Sequence, residues 1–126
     1  MSLRSPLGNV LGLGSAKDGT GHWWAQRVSG IALVLLGLWF AWSLASLEGL
    51  AYGNVVMFIS GPVTPVLLIL LCVTVAYHSY LGVQVVIEDY VHAHGLKVAS
   101  LILSRFAHIV VAVASVYSIL SIGFGA

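Results

Sequence analysis

The chain has 126 residues, of which 60% are hydrophobic and 7% charged, with a formal net charge of +1 and a mean hydropathy of +1.03. A water-soluble domain of this size buries only part of its own surface and has nowhere to hide that much apolar side chain, so lipid is the solvent that fits. The near-neutral balance excludes a basic nucleic-acid-binding face and an acidic disordered tail. The lone Cys72 excludes a disulfide framework and a cysteine-built metal site.

The N-terminal stretch MSLRSPLGNVLGLGSAKDGTGHWW lacks the charged head, continuous apolar core and small-residue cleavage site of a signal peptide. With one Arg and one Lys among Gly, Ser and Leu, it is not a transit peptide either, and it reads as a retained leader, residues 1–26, on the cytoplasmic side. Its glycines do not form a phosphate loop, because the Gly-Lys-Ser/Thr ending and a preceding strand are both missing.

Three segments are long and apolar enough to cross ~30 Å of hydrocarbon as helices. They cover about 28–47, 65–87 and 101–124. Pro62 and Pro65 mark the entry to the second, where a missing backbone N–H does least harm. The expected fold is an all-α integral membrane protein, a single anchor-sized domain of residues 1–126 with short connections. Arg4, Lys17 and Arg27 precede the first span, and Lys97 and Arg105 follow the second. The segment 48–61 and the C-terminus hold no Lys or Arg. The positive-inside rule then places the N-terminus inside and the C-terminus outside.

The second span ends in HSYLGVQVVIEDYVH, residues 78–92. His78 lies roughly 16 Å inward of Asp89 at 1.5 Å rise per residue, near the membrane midplane if Asp89 marks the interface. At 100° per residue Leu71, Thr74, His78, Gly82, Val85 and Asp89 share one face, and Gly82 clears space there for a flat group or a second helix. A histidine at that depth has three readings. It can form an interhelical hydrogen bond, serve in a proton relay, or act as an axial ligand to haem iron. Spacing leaves all three open. Asp89 and Tyr90 have an ordinary reading as interfacial residues, and a functional one as a quinone-head site. There a phenol donates to a quinone carbonyl and an acid carries protons from water. No Ser/His/Asp or Cys/His set suggests a hydrolase.

This signature, together with HWWAQRVSG at the first span, resembles the small hydrophobic membrane anchor of succinate dehydrogenase. That family carries histidine, glycine four residues on, and Asp-Tyr eleven and twelve residues on; His78, Gly82, Asp89 and Tyr90 match it without a gap. The resemblance implies that His78 ligates the iron of haem b, that Tyr90 hydrogen-bonds ubiquinone with Asp89 beside it, and that Arg27 lies near the haem propionates and the quinone pocket. It also implies a second hydrophobic anchor, the larger cytochrome b polypeptide, that supplies the other haem ligand. An iron–sulfur subunit and a flavoprotein subunit, which hold the clusters and FAD, complete the partners. The setting implied is the bacterial inner membrane or its mitochondrial equivalent. This chain would anchor respiratory complex II and line its ubiquinone-reduction site, without oxidising succinate itself.

Arg27 is expected at the level of Asp89, where a guanidinium suits a carboxylate, although a topology anchor accounts for its charge equally well. Ser29 could reach the same region and carries little weight. His92 is expected in solvent and His94 in a loop. Arg105 should draw towards the interface and hold His108 within a turn of it, which makes His108 structural or a neighbour of a propionate. The rival readings are the anchor of a quinol:fumarate reductase, and an accessory transporter subunit with Asp89 and Arg27 as a gate pair.

Overall fold

The computed structural model describes residues 19–125, which form four helices: α1 (Gly19–Ala45), α2 (Tyr52–Ile59), α3 (Thr64–Tyr90) and α4 (His94–Gly123). Arg4, Lys17 and the rest of residues 1–18 lie outside the described residues, whereas residues 19–26 of the expected leader form the first turns of α1. α1, α3 and α4 are long and apolar enough to cross a membrane, as their uninterrupted aliphatic runs require.

The three expected spans are present, with longer helices around them. α1 begins well before residue 28, and α4 begins at His94 rather than near residue 101. Hydropathy marks only the stretch that must lie in hydrocarbon. Backbone hydrogen bonding continues into the polar flanks, where water satisfies the end groups. His94 is therefore the first helical residue of α4 and not a loop residue. The connection after the first span also contains a short helix, α2, that its brevity and lack of charge concealed. Trp39 of α1 stacks on Phe58 of α2 with ring centroids 6.3 Å apart, which folds α2 back against the spans.

α3 is the central element. It packs on α1 along one side and on α4 along the other, whereas no backbone contact joins α1 to α4 among the described residues. The few buried apolar side chains lie mainly on α3: Leu68, Ala76 and Leu81, with Ile119 of α4. Outward faces remain apolar and open, as at Leu35, Leu38 and Trp42 of α1. That distribution suits lipid and neighbouring membrane helices, where association depends on close packing and interhelical hydrogen bonds.

The turn between α3 and α4 is tied at both ends. Val91 leaves the helical region with φ −95° and ψ 104°. Lys97 Nζ donates to the Glu88 carbonyl at 2.7 Å, satisfying one of the unpaired acceptors at the C-terminus of α3.

Candidate functional site

His78 faces α1, where it meets a local pattern of small and polar residues. Ser29, the only buried polar residue among those described, places its Oγ 2.9 Å from His78 Nδ1. The same hydroxyl donates its proton to the Ala25 carbonyl at 2.7 Å. Its oxygen is then an acceptor, so Nδ1 carries the imidazole hydrogen and Nε2 keeps a bare lone pair. Gln26 Nε2 stands 3.3 Å from that nitrogen and donates to it. Gly30 lies against the ring, its missing Cβ 3.5 Å from His78 Cε1.

Of the two expectations for Gly82, a flat group or a second helix, the second helix is what stands there: a Cβ on Gly82 would meet the Gln26 side chain of α1 at 3.8 Å, an ordinary contact, and Gly30 is the glycine beside the imidazole. Gln26 and Gly30 were not singled out by the sequence pattern, and Ser29 was given little weight. The available signal was the spacing of Ala25, Gln26, Ser29 and Gly30, which puts small and polar side chains on one helical face in the manner of a membrane helix interface. His22, one turn before Gln26, extends this face. His22 Nε2 and Gln26 Oε1 are buried without a hydrogen-bond partner.

A groove of about 420 Å³ opens beside His78, lined by Gln26, Arg27, Gly30, Ile31 and Val34. Apart from the ring, the amide and the guanidinium its walls are aliphatic. A neutral imidazole with Nδ1–H held by an acceptor is the donor chemistry an axial iron ligand needs, provided the Gln26 amide turns away from Nε2. His78 is the one His, Cys, Asp or Glu side chain lining this groove, and no cluster of three or more such side chains exists among the described residues.

The level expected for Arg27 needs correction. Because Gln26 meets His78 and Gly82, Arg27 stands beside residues 78–82, at least roughly 10 Å inward of Asp89 along the axis. The cause is the early start of α1, which carries Arg27 two turns into the helix. Its guanidinium points back over the Trp23 ring at 5.5 Å. Arg27 therefore belongs to the His78 groove and forms no gate with Asp89.

Asp89 and Tyr90 close α3, and Tyr90 is 77% exposed. His92, exposed as expected, donates from Nδ1 to the Tyr90 carbonyl at 2.9 Å, and Gln84 donates to Glu88 Oε1 at 2.8 Å. Neither the Asp89 carboxylate nor the Tyr90 hydroxyl bonds to another described residue.

His108 lies on the other side of α3. Its Nδ1 donates to the Ser104 carbonyl at 2.7 Å, and its Nε2 accepts from Ser79 Oγ at 3.1 Å. Arg105 donates from Nε and Nη2 to the Tyr80 hydroxyl at 3.1 and 2.7 Å. Tyr80 follows His78 by two residues, so Arg105 is held deep along the helix pair and does not reach the end of α4.

Three membrane-length apolar helices, with His78 held between α1 and α3 and an acidic aromatic rim at the end of α3, define a small helical membrane protein. Residues 1–120 match the family model for the succinate dehydrogenase/fumarate reductase transmembrane subunit, and the chain belongs to that family. It is similar to proteins named succinate dehydrogenase hydrophobic membrane anchor subunit. Identity is 35% to that of Rickettsia conorii, covering 84% of this chain and 85% of the relative. It is 30% to that of Rickettsia bellii, covering 92% and 93%, and 32% to that of Paracoccus denitrificans, covering 91% and 88%.

Proposed function

We propose that the chain is the hydrophobic membrane anchor of a succinate:quinone oxidoreductase. In this role it holds one axial position of haem b through His78 and forms one wall of a ubiquinone-reduction site through Asp89 and Tyr90. Family membership and the names of the relatives support the anchor role. The observation that supports the haem role is the setting of the His78 ring, with Nδ1 held by Ser29, Nε2 met by the Gln26 amide alone, and the ring lining an otherwise mostly aliphatic groove. The family description includes fumarate reductase, and the same residues serve that direction equally.

When bound, haem b supplies a one-electron carrier between an iron–sulfur relay and the quinone. Ser29 sets the tautomer and aim of the ligand, Gly30 leaves its flank open, and Arg27 offers a guanidinium to a propionate carboxylate. At the rim, the Tyr90 hydroxyl donates to a quinone carbonyl oxygen, and Asp89 takes protons from water and passes them on during reduction. The missing wall and the second iron ligand come from a second anchor polypeptide, and the electrons come from iron–sulfur and flavoprotein subunits on the side where the basic residues gather. That side is the cytoplasm for a bacterial inner membrane, or the matrix for a mitochondrial one, with the N-terminus on it and the C-terminus across the bilayer.

The test is a reduced-minus-oxidised absorbance spectrum of the purified complex carrying His78→Ala. Loss or displacement of the b-type bands is expected. An unaltered haem signal in the variant would remove His78 from the coordination sphere.

A further inference from the structure

On the face of α3 opposite His78, a second polar site stands among apolar side chains. Arg105 stands four residues, roughly 6 Å, into the apolar stretch of α4 that begins near residue 101. A cation at that depth in a membrane helix is costly unless a counter-charge or a polar cavity receives it. α4 contains no acid. The acids of the chain are Asp18, Glu48, Glu88 and Asp89, and Glu88 already accepts from Gln84. The bonds Arg105 makes among the described residues go to the Tyr80 hydroxyl, with the guanidinium carbon 5.4 Å from the centre of that ring. A guanidinium has five N–H donors, so most of its capacity and all of its charge remain available.

Two grooves between α3 and α4 meet at this pair. One, of about 580 Å³, runs from Tyr80 and Arg105 towards the helix ends near the α3–α4 turn and includes Gln84, Val98 and Leu101. The other, of about 330 Å³, runs the opposite way along Val73, Ala76, Ile109 and Ala112. The small side chains of Ala76 and Ala112 keep this inner groove open between the two helices. The order along the pair is thus a polar amide near the turn, a cation with a hydroxyl beside it, and then a mainly apolar trough that Tyr77 and His108 also line.

We propose that this groove binds an anionic phospholipid, with its phosphodiester on Arg105 and Tyr80 and an acyl chain in the inner trough. The order of polarity matches a lipid entering from the leaflet on the α3–α4 turn side: headgroup outward, phosphate at the cation, hydrocarbon inward. Arg105 supplies the charge-assisted donors a phosphate takes, and the Tyr80 hydroxyl hydrogen, not needed to receive the arginine, adds one more. Tyr80 and His78 are about 200° apart around α3, so the lipid occupies the face away from the candidate haem groove. Its loss is therefore separable from haem loss. Basic pockets between membrane helices are a recurrent anionic-lipid site for this physical reason.

The test uses the assembled, detergent-purified complex, measuring its thermal midpoint with dioleoylphosphatidylglycerol, dioleoylphosphatidylcholine or inorganic phosphate added. The anionic lipid is expected to raise the wild-type midpoint by about 5 °C more than phosphatidylcholine, as saturating binding to the folded state alone requires. Arg105→Gln should abolish that difference and Arg105→Lys retain part of it. Ala112→Trp, which fills the inner trough and leaves the cation in place, should abolish it too. Haem absorbance should stay unchanged in all three. Equal effects of the two lipids on the wild type overturn the proposal and leave Arg105 to a carboxylate of a partner helix. A full gain from inorganic phosphate alone overturns it in favour of a soluble anion, and so does an undiminished lipid effect in Arg105→Gln. Should Arg105→Gln fail to assemble, the wild-type comparison and Ala112→Trp decide the matter.

Discussion

At His78 a single serine sets the chemistry of the ring. Ser29 Oγ gives its proton to the Ala25 carbonyl and receives one from Nδ1, which leaves Nε2 as the acceptor that meets the Gln26 amide. Ser29→Ala removes this acceptor and frees the ring to rotate or change tautomer. The expected outcome is a complex that still binds haem, with weakened affinity of about tenfold, the lower end of what loss of a ligand's hydrogen-bond partner produces. Haem content after dialysis and the band position read it, and wild-type retention with an identical spectrum would show that the serine only packs. Tyr90 makes a complementary case at the rim, where its exposed hydroxyl has no partner among the described residues. Tyr90→Phe should lower succinate-dependent quinone reduction at least about tenfold while leaving reduction of an artificial acceptor at the catalytic subunits intact. Parallel loss of both activities would count against a quinone role.

At the scale of helices, the three spans were legible because lipid demands some 20 apolar residues in a row and the sequence offers three such runs. His78, Gly82, Asp89 and Tyr90 were legible as a pattern because they follow one another along a single helix. Their surroundings were not, since Ser29, Gln26 and Gly30 meet His78 across about 50 positions of sequence. Only the register between α1 and α3 brings them together, and hydropathy carries no register. The same gap misplaced Arg27, and reading His94 as a loop residue missed the polar first turn of α4. The basic residues carry an expectation of direction through the positive-inside rule. With α1, α3 and α4 each crossing once, the α1–α2 connection lies opposite the α3–α4 turn. A membrane-impermeant thiol reagent on intact cells should therefore label Ala51→Cys readily. Gly95→Cys should react only after the membrane is opened. The native Cys72 is half-buried in the middle of α3 and gives a low background. The reverse labelling pattern would invert the orientation and move Asp89 and Tyr90 to the other face of the membrane.

For the whole molecule, the arrangement in which α3 alone touches both other spans leaves little interior. The open groove beside His78 and the exposed rim at Tyr90 are what the proposed haem and quinone roles would need a neighbour to complete. The apolar outer faces do not by themselves require a protein partner, since lipid covers them at no cost. The polar inner groups are different: His22 Nε2 and Gln26 Oε1 are buried with no hydrogen-bond partner among the described residues, a state that costs each about 1–3 kcal/mol. A second anchor helix or the haem edge can relieve that penalty, and neither belongs to this chain. The chain produced alone in membranes should thus hold haem at well below one equivalent and lose what it holds on detergent extraction. Coexpression with its partner anchor should restore b-type absorbance towards one haem per pair. Stoichiometric, extraction-resistant haem in the lone chain would mean that both axial positions are filled from within it. His108 would then have to leave its Ser79 and Ser104 partners and cross to the opposite face of α3, a rearrangement that the packing of α3 against α4 opposes.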